Sequence, residues 1–309
     1  MFWNLFKFEP KPYAENFLQT KDGHQIYYRQ FGNPKGVPVL SFHGGPGGSS
    51  RPKYAKLFNK HKYRFIQFDQ RGCGCSTAED IWRNNTTDFL LEDAKHILET
   101  LNIKEKIIVH GVSWGSTLAL LFAEKYPELV QKIVVSSVFL ARAYDTAWVQ
   151  RESERFYPDL WHQMRLQIKG RDVYDTYHKM MFSHNNSEIL QAMTYLGSYE
   201  FMLGKLDPQF TTPTELNEQE LTSQRIAFRY DENKYYIQDN QIIVNAEKIK
   251  HIPTLIVHNR LDFCCPLKQA WDLHLALPKS RLIIAAGFGH STKKLLKICQ
   301  KEIEKEEER

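Results

Sequence analysis

No stretch of this 309-residue chain is long and apolar enough to cross a bilayer, which would need roughly 20 such residues. A membrane-spanning protein is therefore not expected. Charge of one sign is lacking too. The 41 Lys and Arg are interspersed with 36 Asp and Glu, for a formal net charge of +5. No basic stripe emerges, so nucleic acid is not an expected partner. Cysteine is sparse and odd in number, five in all, which argues against a disulfide framework and fits a reducing cytoplasm. The N-terminal Met1-Phe2-Trp3-Asn4-Leu5-Phe6-Lys7-Phe8 lacks a basic leader, an unbroken apolar stretch and a small-residue cleavage site, so it does not read as a signal peptide. Internal repeats and low-complexity linkers are absent as well. What is present is 42% hydrophobic and 13% aromatic residues, enough for the core of one large domain or of a domain carrying an inserted lid.

Apolar runs alternate with helical patterns through the first part of the chain. Strands are predicted over residues 24–31, 37–42, 64–69, 106–110 and 132–136. A helix over about 87–101 carries Phe89, Leu90, Ala94, Ile97, Leu98 and Leu101 at helical spacing, with Thr86 or Thr87 available as its cap. After about residue 139 the strands cease, and aromatic and charged residues follow with helical periodicity. Strand patterns return at 252–258 and 281–285. The expected fold is α/β: a mostly parallel sheet covered by helices on both faces, with an inserted helical cap. Its parts are a core over 1–138, the cap over 139–250 and the rest of the core over 251–309.

The stretch Gly111-Val112-Ser113-Trp114-Gly115 lies between the apolar run Ile107-Ile108-Val109-His110 and a helical run ended by Pro127. Strand, G-x-S-x-G and helix make a nucleophile elbow, a strained turn that lifts a serine oxygen above the sheet edge. Ser113 is thus the candidate nucleophile. A serine hydroxyl needs an imidazole to take its proton, and the imidazole needs a carboxylate to fix its tautomer. Asp262, in Asn259-Arg260-Leu261-Asp262, and His290, in Gly289-His290-Ser291, follow in the order Ser, Asp, His, each just past a predicted strand. His43 and His110 also follow apolar strands but precede the serine, and are expected to support loops. Asp69 is expected to hold its own loop through Arg71 or backbone amides. The loop His43-Gly44-Gly45-Pro46-Gly47-Gly48 lies where one oxyanion amide is needed, and the N–H of Trp114 would be the other. No G-K-[ST] follows those glycines, so phosphate binding is not expected. Cys73-Gly74-Cys75 and Cys264-Cys265 lack zinc-site spacing and no histidine pair accompanies them, so no metal site is expected. Both pairs flank loops placed near the active site.

Taken together these motifs resemble proline iminopeptidases, serine peptidases of the α/β-hydrolase fold. The resemblance is carried by His43 to Gly48, Asp69-Gln70-Arg71-Gly72-Cys73-Gly74-Cys75-Ser76, Asn85-Thr86-Thr87-Asp88, Ser113-Trp114-Gly115-Ser116, Val257 to Asp262, Cys265-Pro266, Ala270-Trp271-Asp272-Leu273 and Gly289-His290-Ser291. It implies Ser113, Asp262 and His290 as catalytic triad and Gly45 and Trp114 as oxyanion donors. It implies small peptides with N-terminal proline as substrates. Cap glutamates hold the free amino terminus in that family. Tyr199-Glu200 falls where the family has Trp-Glu, and Asp231 to Tyr236 resembles its Glu-Asn-His-Tyr-Phe helix, pointing to Glu232. Phe139 and Tyr236 match aromatic positions expected around the proline ring. Each of these four positions would otherwise be an ordinary surface or core residue. The sequence departs from the family at Val112, Asn259 and Leu261, where Gly, Gly and Tyr are usual. No metal or organic cofactor is implied, so activity should persist in excess EDTA. The same machinery would serve an esterase or amidase for small acyl groups if the cap did not read the amine. A non-catalytic binding scaffold is disfavoured by the intact Ser, Asp, His and Gly-Gly-Pro-Gly set.

Overall fold

Strand alternation sets the architecture. In the computed structural model, which describes residues 9–169, 172–205, 208–213 and 215–307, eight strands form one sheet. They are β1 (Ala14–Gln19), β2 (Gln25–Gly32), β3 (Val37–Phe42), β4 (Tyr63–Phe68), β5 (Ile107–Val112), β6 (Val130–Ser136), β7 (Thr254–Leu261) and β8 (Ser280–Phe288). Their order is β1-β2-β4-β3-β5-β6-β7-β8; β2 pairs antiparallel with β1 and β4, and the other pairs are parallel. Successive residues point to opposite faces of a strand. Val39, Ile108, Val134 and Leu255 accordingly enter one apolar cluster, and Leu40, Val109, Val135 and Ile256 the other. Both faces are covered, which is why these strands read as unbroken apolar runs.

The helices are α1 (Thr87–Thr100), α2 (Trp114–Lys125), α3 (Ala143–Gln150), α4 (Pro158–Gln167), α5 (Val173–Met181), α6 (Asn186–Ala192), α7 (Ser198–Met202), α8 (Glu218–Glu232), α9 (Gln241–Val244), α10 (Leu267–Ala276) and α11 (Lys293–Glu307). One face of the sheet packs on α1, α2 and α10 through residues such as Leu90, Leu118 and Leu273. The other packs on α11 through Leu295, Leu296, Cys299 and Ile303. Among the described residues, the chain between β6 and β7 forms helices and turns without a strand. It has an apolar cluster of its own, built on Trp161, Met164, Tyr177 and Tyr199. Helix α8 serves both bodies: Leu221 and Phe228 enter that cluster, while Ile226 and Tyr230 enter the cluster on the sheet.

Two local expectations are corrected. β1 carries no strand signal, because Ala-Glu-Asn-Phe-Leu-Gln lacks alternating apolar residues. It is an edge strand whose Phe17 stays half exposed and leans on Tyr27 at 5.4 Å between ring centres. Thr86 sits at the N-cap of α1 without a side-chain cap bond, and the Thr87 hydroxyl instead donates to Tyr235 O at 2.5 Å. The segment Met1 to Phe8, considered above as a possible leader, lies outside the described residues.

Candidate active site

The turn between β5 and α2 is locked by its glycines. A Cβ on Gly111 would lie 2.0 Å from Gly115 O, and one on Gly115 would lie 2.1 Å from Phe42 O. Only glycine allows strand and helix to fold back this tightly. Ser113 pays with a left-handed backbone, φ 58° and ψ −130°, of the kind stored at functional sites. Its N–H donates to Ser136 O at 3.1 Å. Ser116 Oγ donates to Ser113 O at 2.6 Å and accepts from Phe139 N at 3.0 Å, tying the turn to the chain leaving β6.

Asp262 and His290 come from the turns after β7 and β8. Asp262 Oδ2 accepts from His290 Nδ1 at 2.8 Å, and Oδ1 accepts from the amides of Cys264 at 3.0 Å and Cys265 at 2.9 Å. Desolvation alone would raise the Asp262 pKa, but His290, His258 and the Cys265 amide outweigh it and hold the carboxyl below its usual range. Desolvation opposes charge on His290 as well, yet Asp262 foremost, with Cys264 and Glu200, outweighs it and favours the imidazolium that forms when Nε2 takes a proton. The hydrogen bond to Asp262 presents Nε2 as the free ring nitrogen, and that atom has no hydrogen-bond partner among the described residues. Two further residues place the histidine: Ser137 Oγ donates to His290 O at 2.8 Å, and Asn259 Nδ2 donates to Gly289 O at 2.7 Å. Asn259, a departure from the family pattern, thus holds the histidine loop. Buried His258 accepts from Val138 N at 3.0 Å through Nδ1 and donates through Nε2 to Cys265 O at 2.8 Å, bracing the aspartate turn.

The glycine loop after β3 passes beside the serine, and a Cβ on Gly44 would lie 3.3 Å from Ser113 Cβ. Gly45 adopts φ +133°, and a Cβ there would meet Gly48 N at 2.6 Å. His43, as expected, supports loops: Nδ1 donates to Gly44 O at 2.8 Å and Nε2 accepts from Gln70 N at 3.0 Å. His110 meets Ser41 Oγ at 2.9 Å under the sheet. Asp69 holds its loop through the amides of Ser50 and Cys75, at 2.7 and 2.8 Å. Arg71 turns elsewhere, to Asp93 at 2.7 Å and Asp22 at 2.6 Å. From the cap side, Ser223 Oγ of α8 donates to Gly47 O at 2.6 Å.

Ser113, Gly45, Phe139 and Glu200 line one cavity of about 170 Å³. Glu200 opens into it from α7. Although the residue is solvent-exposed, desolvation by the surrounding cavity wall and the Asp231 charge raise its pKa, against the opposing effect of His290. Tyr199 beside it is a buried anchor, its hydroxyl accepting from Trp161 Nε1 at 2.7 Å. Glu232 and Tyr236 are not among the lining residues. Glu232 is exposed at the end of α8, and Tyr236 packs edge-on against Tyr230 at 5.2 Å. The lining residues are their predecessors, Asp231 and Tyr235. Asp231 accepts from Gln150 Nε2 at 2.6 Å, Tyr235 Oη at 3.1 Å and the Tyr174 hydroxyl. Desolvation still leaves its pKa raised against those three donors. Helical period carried the missed signal. Ser223, Ala227 and Asp231 recur every four residues on the lining face, whereas Glu232 lies about 100° further round. Tyr235 enters the cavity because residues 234–236 all have left-handed φ, from 51° to 55°. Cys264 and Cys265 also line it; Cys73 and Cys75 do not.

The chain matches the family model described as alpha/beta hydrolase fold over residues 37–293. It is 35% identical over 289 residues to a proline iminopeptidase of Neisseria gonorrhoeae, covering 90% of this chain and 91% of that one. A proline iminopeptidase of Xylella fastidiosa is also 35% identical, covering 92% of each. One from Arabidopsis thaliana is 35% identical over 91% of this chain and 76% of its own. Among solved structures, a putative aryl esterase from Burkholderia cenocepacia superposes with a TM-score of 0.63 at 14% identity, covering 96% of this chain and 100% of that one. A thermophilic esterase from Thermogutta terrifontis gives 0.59 at 16% identity, covering 96% and 98%. At such identities these two bear on the fold alone.

Proposed function

We propose, from the premise that this chain belongs to the proline iminopeptidase family of α/β hydrolases, that it is a serine aminopeptidase releasing N-terminal proline from small peptides. The observation that carries this reading is the pair of carboxylates, Glu200 and Asp231, in the cavity that also exposes Ser113. A cationic amine is recognised by desolvated carboxylates that it neutralises. Asp231 lies in the last turn of α8, where the helix dipole favours a positive charge. The apolar lining from Phe139, Val149, Leu196, Phe228 and Tyr235 suits a pyrrolidine ring.

In the proposed mechanism the substrate's ammonium sits against Glu200 and Asp231, bringing the first carbonyl over Ser113. Ser113 Oγ attacks while His290 Nε2 accepts its proton, and the Nδ1–H bond to Asp262 stabilises the imidazolium. The oxyanion is received by the N–H groups of Gly45 and Trp114. His290 protonates the departing amine, and water then hydrolyses the prolyl ester by the same relay. The resting structure has no hydrogen bond on Nε2; such contacts often tighten only with substrate bound. No step calls on a cofactor. Among the described residues no helix is long and apolar enough to cross a membrane, and the free thiols of Cys73, Cys75, Cys264 and Cys265 suit the reducing cytoplasm we propose as its location.

The test is hydrolysis of proline β-naphthylamide beside its N-acetylated form and the alanine analogue. Turnover of the free proline compound, abolished in Ser113→Ala, is expected. Equal turnover of the acetylated compound would overturn amine recognition and leave an esterase or amidase.

A further inference from the structure

The mechanism leaves two cavity residues unused, the adjacent thiols Cys264 and Cys265. One ligand atom from each, together with one from the His290 ring, lies within 4.8 Å of the others. We propose that these three side chains form a chelating site for a borderline-soft divalent cation, Zn²⁺ in the first place, which inhibits the enzyme by capturing His290 Nε2.

Ligand chemistry comes first. Two thiolates and an imidazole with a fourth position left to water are a donor set that Zn²⁺ takes tetrahedrally. Its bond lengths put neighbouring donor atoms about 3.6–3.8 Å apart. Closing from within 4.8 Å therefore asks the donor atoms to move by about 1 Å. Neither Cys264 nor Cys265 is in a disulfide, so both thiols are available. Cys265 is buried and Cys264 half-buried, and both face the cavity through which an ion would enter.

The surroundings are those of a metal-bound histidine. A ligating imidazole almost always donates its other N–H to a carboxylate, which fixes the tautomer. Here Nδ1 bonds Asp262 at 2.8 Å and Nε2 is unpartnered. The carboxylate that orients a base for catalysis thus orients it equally for a cation. Asp262 also fixes the thiol turn, since its Oδ1 accepts from the amides of both cysteines. One side chain therefore sets all three ligands.

The balance is simple. Two S–H bonds break, both protons go to solvent, two metal–thiolate bonds form and Nε2 contributes a lone pair. No oxidant or reductant is involved. A dication and two thiolates sum to zero, so the occupied site adds no net charge to the cavity. Because protons are released, binding strengthens as pH rises. No zinc spacing is visible along the chain because the third ligand comes from the turn after another strand.

The binding arm of the test does not depend on the proposed function; only the inhibition arm does. Ser113→Ala protein, reduced and held without oxygen, is titrated with Co²⁺ as an optical probe and then with Zn²⁺. One equivalent of Co²⁺ should produce thiolate-to-cobalt charge-transfer absorption, and Zn²⁺ should displace it. Adding Cys264→Ser and Cys265→Ser should abolish the band, and adding His290→Ala should weaken Zn²⁺ binding at least tenfold, with circular dichroism confirming the fold of each variant. In the unmodified enzyme Zn²⁺ should stop turnover and EDTA restore it, and Cys264→Ser should raise the inhibitory concentration at least tenfold. Absence of the band, or binding unchanged without the two thiols, would overturn the site. A full band with undiminished turnover would overturn the inhibition.

Discussion

The sheet and the cap position their functional groups by different means. Around Ser113 the backbone does the work: Gly111 and Gly115 sit where any Cβ would lie about 2 Å from a backbone oxygen, and Asp262 is fixed by two amides as well as by His290. In the cap, side chains hold side chains. Asp231 depends on Tyr174, Tyr235 and Gln150, which come from three separate segments. Chemistry that must be exact to a fraction of an ångström is thus built on the rigid sheet. The terminal-amine recognition we propose would fall to side chains of the cap.

The hardest way to break this comparison is at the nucleophile. Ser113→Ala should reduce kcat roughly 10³- to 10⁶-fold with thermal stability nearly unchanged, since loss of a triad member leaves only binding and the oxyanion site. Residual turnover above that range would mean another group attacks. Gly111→Ala should act on the fold itself. Its methyl would meet Gly115 O at 2.0 Å, and overpacking against backbone costs about 1–3 kcal/mol or more. Denaturant unfolding should show the loss, and a full-stability variant would contradict the locked turn. The cap should respond through substrate instead. Asp231→Asn should cost about 2–4 kcal/mol, roughly 30- to 1,000-fold in kcat/KM for prolyl substrates, with little change in stability.

The two acids also predict a pH dependence that separates them from the triad. Both carboxyls have raised pKa values, each by desolvation first, and Glu200 further by the Asp231 charge. A raised carboxyl protonates earlier as pH falls. Prolinamide binding to Ser113→Ala, followed by calorimetry, should therefore begin to weaken above the ordinary carboxylate range of about pH 4. Adding Asp231→Asn removes the like charge, lowers the Glu200 pKa and should move this limb to more acid pH. A limb that stays in place would show that the two groups do not share one field.

The same division explains what could be read in the sequence. Sheet residues announce themselves: apolar runs buried on two faces, the glycine-flanked Ser113, and Asp262 and His290 just past strand ends all follow from local pattern. The edge strand β1 escaped because its exposed side chains follow no alternation. In the cap the motif suggested the right helix and the wrong residues. The acid that lines the cavity is decided by the phase of α8 and by the left-handed turn after it, neither of which a short match specifies. Cys264 and Cys265 escaped for a different reason, since the histidine they meet is brought in by β8 rather than by sequence spacing.

The phase of α8 sets the smallest expected effect and the sharpest contrast. Glu232 and Asp231 are adjacent acids in the last turn of one helix, so they differ little in distance along the chain or in dipole field. They differ in direction: Asp231 faces the cavity with three hydrogen-bond donors, and Glu232 faces solvent. Glu232→Gln should therefore change kcat/KM by less than about twofold, the scale of an exposed substitution near 0.5 kcal/mol. The same neutralisation one residue earlier should be at least tenfold worse. Equal losses would mean that long-range charge, and not contact, recognises the amine. A reversed order would turn the end of α8 by one residue and make Glu232 and Tyr236 the cavity wall.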